Sequence, residues 1–348
     1  VYKRQEYSPG MYADEDELVA LAAVSAKHGG IYSSHIRNRG EEFEDAVDEA
    51  LNISRRAELP GQLSHLAPRP YASSGTFDRV LKKIDCARED EGLIVGIDTF
   101  PDIWGPGMAV ALLPPWVYEG EREEVLQRLG SPETINKCRG HFSDPTNYLL
   151  RLGGLDMFYL SSSIAHPELA GKNLVEIGEA FGCDPVEAVF RLVLADGADF
   201  YNVMIRHIFA TSAELDRLLM NPYCSVESDG VVTATDGLLS NFTMNRSSFG
   251  YTIRFIEEYV LQRNIFSLEE AIRKMTSLPA DSAGLSNRGR IEVGKAADLV
   301  VLDLDKLTDN STDEVPQAYP SGVELVVVNG EVVLDQGHRL DILPGGLA

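Results

Sequence analysis

The segment GGIYSSHIRNRG, residues 29–40, runs from two glycines through a short apolar alternation to a histidine, His35, and then into charge. Ahead of it, DEDELVALAAVSAKHGG has acids in its first turn, apolar residues at helical spacing and glycines at its end, which predicts a helix. Behind it, EEFEDAVDEALNISRRAEL predicts a second amphipathic helix, and GQLSH a short strand reaching another Ser-His pair, Ser64-His65. SGTFDRVLKKIDCAREDEG then reads as helix, and LIVGIDTF as a buried strand carrying Asp98. Helix alternating with strand predicts parallel strands joined by helical crossovers, whose sites gather at the carboxyl ends of the strands. His35, His65 and Asp98 all fall at such ends.

The chain has 348 residues, with 31 basic against 54 acidic, a net charge of −23. That balance argues against nucleic acid or an anionic membrane as partner, since both require a positive face. No run of 18 apolar residues and no signal peptide is present, and the four cysteines are scattered without a CxxC pair. The expectation is a protein without disulfides in a reducing, cytoplasmic setting. The opening VYKRQ fits no element that follows, so the chain is expected to begin inside a longer protein.

The rhythm changes between residues 102 and 222, where PPWVYEGEREEVLQRLG, GKNLVEIGEAFG, DPVEAVFRLVLADG and TSAELDRLLMNP read as helices and MFYLSSS as one strand. This predicts a mostly helical insertion or lid. YCSVESDG restores a strand toward Asp229, and helices YTIRFIEEYVLQRN and SLEEAIRKMTSLPADSAG follow. The end is strand-rich, with Asn329-Gly330 as a hairpin turn. The expected division is 6–101, strands and helices carrying the histidines; 102–222, the insertion; 223–284, the last strand and its helices; and 285–348, the C-terminal strands.

A single histidine is more often a hydrogen-bonded core side chain than a ligand. Two of them at the ends of successive parallel strands raise a second reading, because neutral imidazole binds zinc and a metal site needs donors converging from several strands. Asp229, in ESDG, can bind a cation and take a proton from an attacking water, although Asp-Gly is also an ordinary turn. His28 closes a helix, and His141, His166, His207 and His338 have no ligand spacing. There is no phosphate loop and no G-x-S-x-G elbow.

The tail SNRGRIEVGKAADLVVLD with GVELVVVNGEVVLDQG resembles the closing segment of the amidohydrolase superfamily. EYSPGMYADEDELVALAAVSAKHGGIYSSHIR, LPGQLSHL, ALLPPWVYEG, ESDG and LEEAIRKMTSLPADSAGL further resemble the D-aminoacylases, the N-acyl-D-amino-acid deacylases. The resemblance runs from about Glu6 to the C-terminus, with the insertion matched in patches. It implies an α/β fold: part of a metal-dependent (β/α)8 hydrolase barrel, about strands 5–8, with a helical insertion and C-terminal β-sandwich strands. By the resemblance, His35 and His65 are zinc ligands, and Asp229 is both metal contact and general base. Tyr7 and Arg246 match substrate-binding positions.

Three departures stand out. The family's S-H-x-K lysine is Ala67 here, leaving Arg69 as the nearest cation for a substrate carboxylate. DTFPDI replaces a tyrosine-bearing stretch with Phe100 and Asp102, and MNR stands for HPR. The family's H-x-H pair and bridging cysteine do not occur, so by the resemblance about four strands are expected upstream of residue 1.

The expected reaction is zinc-dependent hydrolysis of the amide of a small N-acyl-D-amino acid, with one or two zinc ions and a homo-oligomer allowed. Another amide substrate, such as a cyclic amide, is the first alternative. A truncated, non-catalytic fragment lacking the N-terminal ligands is the second.

Overall fold

The computed structural model describes residues 2–4, 10–144, 152–237, 240, 245–313 and 315–346. Helix α1 (Glu15–Ala26) starts where the Asp14 carboxylate accepts the Glu17 N–H at 2.8 Å. Helix α2 (Phe43–Ala57) buries Phe43, Ala46, Val47, Ala50, Leu51 and Ile53, and helix α3 (Thr76–Glu89) buries Phe77, Val80, Ile84 and Ala87. Those positions repeat at three and four residues, one stripe per helix, and the stripes cover a sheet.

That sheet begins with β1 (Tyr2–Arg4), β2 (Tyr32–His35), β3 (Gly61–Leu63) and β4 (Val95–Thr99), all parallel. Its register aligns Arg4 with His35, Ser34 with Leu63 and Leu63 with Ile97. The expectation that VYKRQ fits no element is corrected: Tyr2–Arg4 adds a strand beside β2, because an unpaired parallel edge is satisfied by any extended segment that reaches it.

The insertion has its helices and the strand at MFYLSSS, and two further strands beside them. It holds β5 (Trp104–Met108), β6 (Phe158–Ser162) and β7 (Met204–Ile208), an antiparallel sheet in the order β5-β7-β6. Pro106 in β5 is tolerated because β5 is an edge strand. Helices Arg122–Leu129, Pro132–Phe142, Leu174–Phe181 and Pro185–Ala195 pack over this sheet around their own core, which includes Val110, Leu129, Ile177, Val189 and Val193. Helix Ser212–Met220 packs instead beside the parallel sheet, with Leu218 in the same core as Cys224 and Ile97. There β8 (Cys224–Val226) joins β4 in parallel, completing the order β1-β2-β3-β4-β8.

After β8 come helix Ser247–Arg254, its π-helical continuation Phe255–Gln262, and helices Leu268–Met275 and Ser277–Ser282. The C-terminal strands β9 (Leu299–Leu302), β10 (Val323–Val328), β11 (Glu331–Asp335) and β12 (His338–Arg339) form one antiparallel sheet. Asn329 and Gly330, at φ 50° and 86°, make the expected two-residue turn between β10 and β11. All four cysteines are free. No helix among the described residues is long and apolar enough to cross a membrane.

Candidate metal and substrate site

His35 and His65 are 6% and 2% exposed, and their rings meet edge to face with centroids 4.2 Å apart. The expected equivalence of their places is off by one. With Ser34 opposite Leu63, the residue level with His35 is Ser64, whose N–H donates to the Ser34 carbonyl at 2.9 Å. His65 lies one step beyond, where an extended chain would point its side chain to the other face. Its backbone instead turns left-handed, φ 37°, and the imidazole swings back onto His35.

Asp98 of β4 holds that turn. One carboxylate oxygen accepts the His65 N–H at 2.7 Å and the Ser64 hydroxyl at 2.9 Å. The other accepts the Gln62 amide at 2.6 Å. Gly96 makes room for Gln62, whose Oε1 lies 2.0 Å from where a Cβ at position 96 would stand. Burial raises the Asp98 carboxyl above its ordinary range, against the lowering effect of these three donors.

Asp229, three residues beyond β8, is half-buried and left-handed at φ 43°. Its N–H donates to the Glu227 carboxylate, and the Glu227 N–H donates to the Thr99 carbonyl at 3.1 Å. Glu227 Oε1 is out of solvent and has no hydrogen-bond partner among the described residues. Burial pushes this carboxyl well above the usual range, and the charges of Asp98 and Asp229 push the same way. Gly230 is packed so closely on Ser248 that a Cβ would lie 2.9 Å from its Cα.

Arg39 donates to the carbonyls of His65 and Ala67 at 3.2 and 3.3 Å, and its guanidinium lies 4.3 Å from the Phe209 ring centroid. Phe209, just past β7, packs 5.9 Å from the His65 ring and 4.5 Å from Phe100. Ile205, His207 and Phe209 alternate onto one side of that strand, while Arg206 lies over Trp104 and Tyr159.

Arg69 is buried, with Nη1 2.8 Å from His207 Nε2, and His207 stacks on Phe158 at 5.5 Å. Arg69 and His207 line a cavity of about 200 Å³ together with Met108, Leu113, Tyr118 and His141. Sequence reasoning passed over His207 and His141 for want of ligand spacing; the apolar-histidine alternation of MIRHIF was the signal available for the first. Arg246 is placed elsewhere. Its Nε donates to Asp102 at 2.7 Å, and Asp102 also accepts from Arg254 at 2.6 Å. Tyr7 lies outside the described residues.

The structure thus brings His35 to His65. It does not assemble three His, Cys, Asp or Glu side chains into a group able to hold a metal ion among the described residues. As a nitrogen pair the two imidazoles fit zinc, which takes histidine nitrogen readily and needs further donors from other elements.

A model described as "Amidohydrolase family" matches residues 176–334. An N-acyl-D-glutamate deacylase of Alcaligenes xylosoxydans xylosoxydans is 33% identical over 336 residues, 96% of this chain and 58% of that protein. A D-aminoacylase of the same organism is 26% identical over 330 residues, 94% of this chain and 56% of its own length. The chain therefore spans little more than half of the curated relatives it matches. The crystal structure of N-acyl-D-glutamate deacylase from Bordetella bronchiseptica, complexed with zinc and a phosphonate inhibitor, superposes with a TM-score of 0.74 at 28% identity. That match covers 95% of this chain and 59% of the other. The α/β fold is that of these enzymes, and over most of its length the chain is similar to the amidohydrolases of the D-aminoacylase family.

Proposed function

We propose that the protein hydrolyses the amide bond of N-acyl-D-amino acids with the help of zinc. The single observation that carries this reading is the pair of buried imidazoles converging at the ends of β2 and β3. A parallel sheet whose spatial order follows chain order supports an arc of a (β/α)8 barrel, with 102–222 as its insertion and 285–348 as part of a β-sandwich.

His35 and His65 would hold the ion, which when bound polarises the amide carbonyl and acidifies an attacking water. Asp229 takes the water's proton on its carboxylate and returns it to the leaving nitrogen. Arg69, fixed by His207 at the edge of the cavity, binds the substrate carboxylate; the apolar wall of Met108 and Leu113 receives the carbon chain beside it. Arg246 serves this reading less well, because Asp102 already engages it.

The test is zinc content and turnover of the protein expressed from its full reading frame. His35→Ala and His65→Ala should each lose most of the zinc and the deacylase activity on N-acetyl-D-amino acids. Retention of both in either variant sinks the proposal. A non-catalytic role for this chain is the second reading, favoured by the lack of a three-donor group among the described residues. Tight stoichiometric zinc on this chain alone would exclude it.

A further inference from the structure

Six non-glycine residues of the described chain have positive φ: Glu58, His65, Asp229, Asn264, Asn329 and Gln336. Four need no special account. Glu58 ends α2, Asn264 follows the last helical residues after Gln262, and Asn329 and Gln336 stand in tight turns beside Gly330 and Gly337. The other two are the two candidate site residues that lie just beyond their strands. In both cases a carboxylate at the carboxyl end of the sheet takes the backbone N–H of the left-handed residue: Asp98 for His65, Glu227 for Asp229.

We infer that Asp98 and Glu227 are a matched pair of positioning residues, each holding one side chain of the site in an orientation its backbone would not otherwise keep. A left-handed non-glycine residue persists only where its surroundings over-determine it. Here the surroundings can be named. Asp98 has three donors, of which the His65 N–H is one; Gln62 and Ser64 fix the carboxylate that fixes His65. Glu227 is anchored through its own N–H on the Thr99 carbonyl, one residue from Asp98. The two clamps therefore sit on neighbouring strands, β4 and the end of β8, and Gly230 against Ser248 leaves the Asp229 loop no room to relax. This inference concerns orientation, and only its catalytic consequence rests on the function proposed above.

Residue-resolved amide hydrogen exchange on the protein tests it without any assay of turnover. Both amides lie outside helix and strand, yet each should be protected in the wild type. Glu227→Ala should speed exchange at Asp229 about three- to tenfold, the loss expected for one intramolecular hydrogen bond. Glu227→Gln keeps an acceptor oxygen and should restore protection. Asp98→Ala and Asp98→Asn should divide in the same way at His65. An unprotected wild-type amide at either residue overturns the inference. So does a folded alanine variant with unchanged exchange, or a Gln or Asn variant that exchanges as fast as alanine. Should the alanine variants fail to fold, wild-type protection and the Gln and Asn variants still decide. In the deacylase assay the alanine variants should lower kcat with KM nearly unchanged. A wild type without turnover would count against the proposed function and leave the exchange result intact.

Discussion

Replacing Phe209 by alanine removes a ring that joins the insertion to the histidine pair. The ring is 2% exposed and packs near the His65 imidazole at 5.9 Å, the Phe100 ring at 4.5 Å and the Arg39 guanidinium at 4.3 Å. Truncating a buried phenylalanine costs about 3–5 kcal/mol through lost transfer free energy and the cavity left behind. The cation–π contact adds about 0.5–2 kcal/mol, toward the upper end here because Arg39 is itself buried. The expected loss is about 5–7 kcal/mol, a large share of the roughly 5–15 kcal/mol that holds a domain folded. Phe209→Leu fills most of the volume and loses chiefly the ring contacts, so about 1–2 kcal/mol is expected. Urea unfolding followed by circular dichroism measures both. A loss below about 1.5 kcal/mol for Phe209→Ala, or equal losses for the two variants, would refute the bridging role argued from these distances.

Three further outcomes follow from the same geometry. Arg69→Met should raise KM about ten- to a hundredfold with kcat within about threefold, since it removes a charge-assisted contact made equally in ground and transition states; an unchanged KM would move the substrate carboxylate to another residue. Asp102→Ala should destabilise by about 3–5 kcal/mol, because it strips Arg246 and the buried Arg254 of a shared carboxylate, whereas a urea midpoint like the wild type's would show the pair to be dispensable. Burial pushes the Cys138 thiol up to about 11 and raises Cys224 further still, so neither should be alkylated at pH 8 until urea is added; labelling of either in the native protein contradicts the burial.

The helices and the parallel strands were legible because each is written locally. The stripe of α2 and the apolar runs before His35, His65 and Asp98 are set by neighbours within a few residues. What stayed hidden depends on partners far away in the chain. WGPGM does not look like a strand, and becomes one only because MIRHI, about a hundred residues later, pairs with it. Arg69 meets His207 across 138 residues, and Arg246 meets Asp102 across 144. Reading Arg246 as a substrate residue therefore missed the carboxylate that engages it. Glu227 was not singled out beside the more suggestive Asp229, and only the fold shows its carboxylate withdrawn from water.

The left-handed backbone at Asp229 also has a consequence for engineering. A left-handed conformation costs an L-residue about 1–2 kcal/mol and costs glycine almost nothing, although glycine gives back about 0.5–1 kcal/mol through its freer unfolded chain. His65 is packed too tightly to exploit this, since a glycine there would leave a void beside Phe209. Asp229 is half-buried, and its replacement by glycine would leave little behind. Selection of variants for heat resistance alone is therefore expected to erode Asp229 early, so a screen for a hardier form of this protein should score chemistry and melting together.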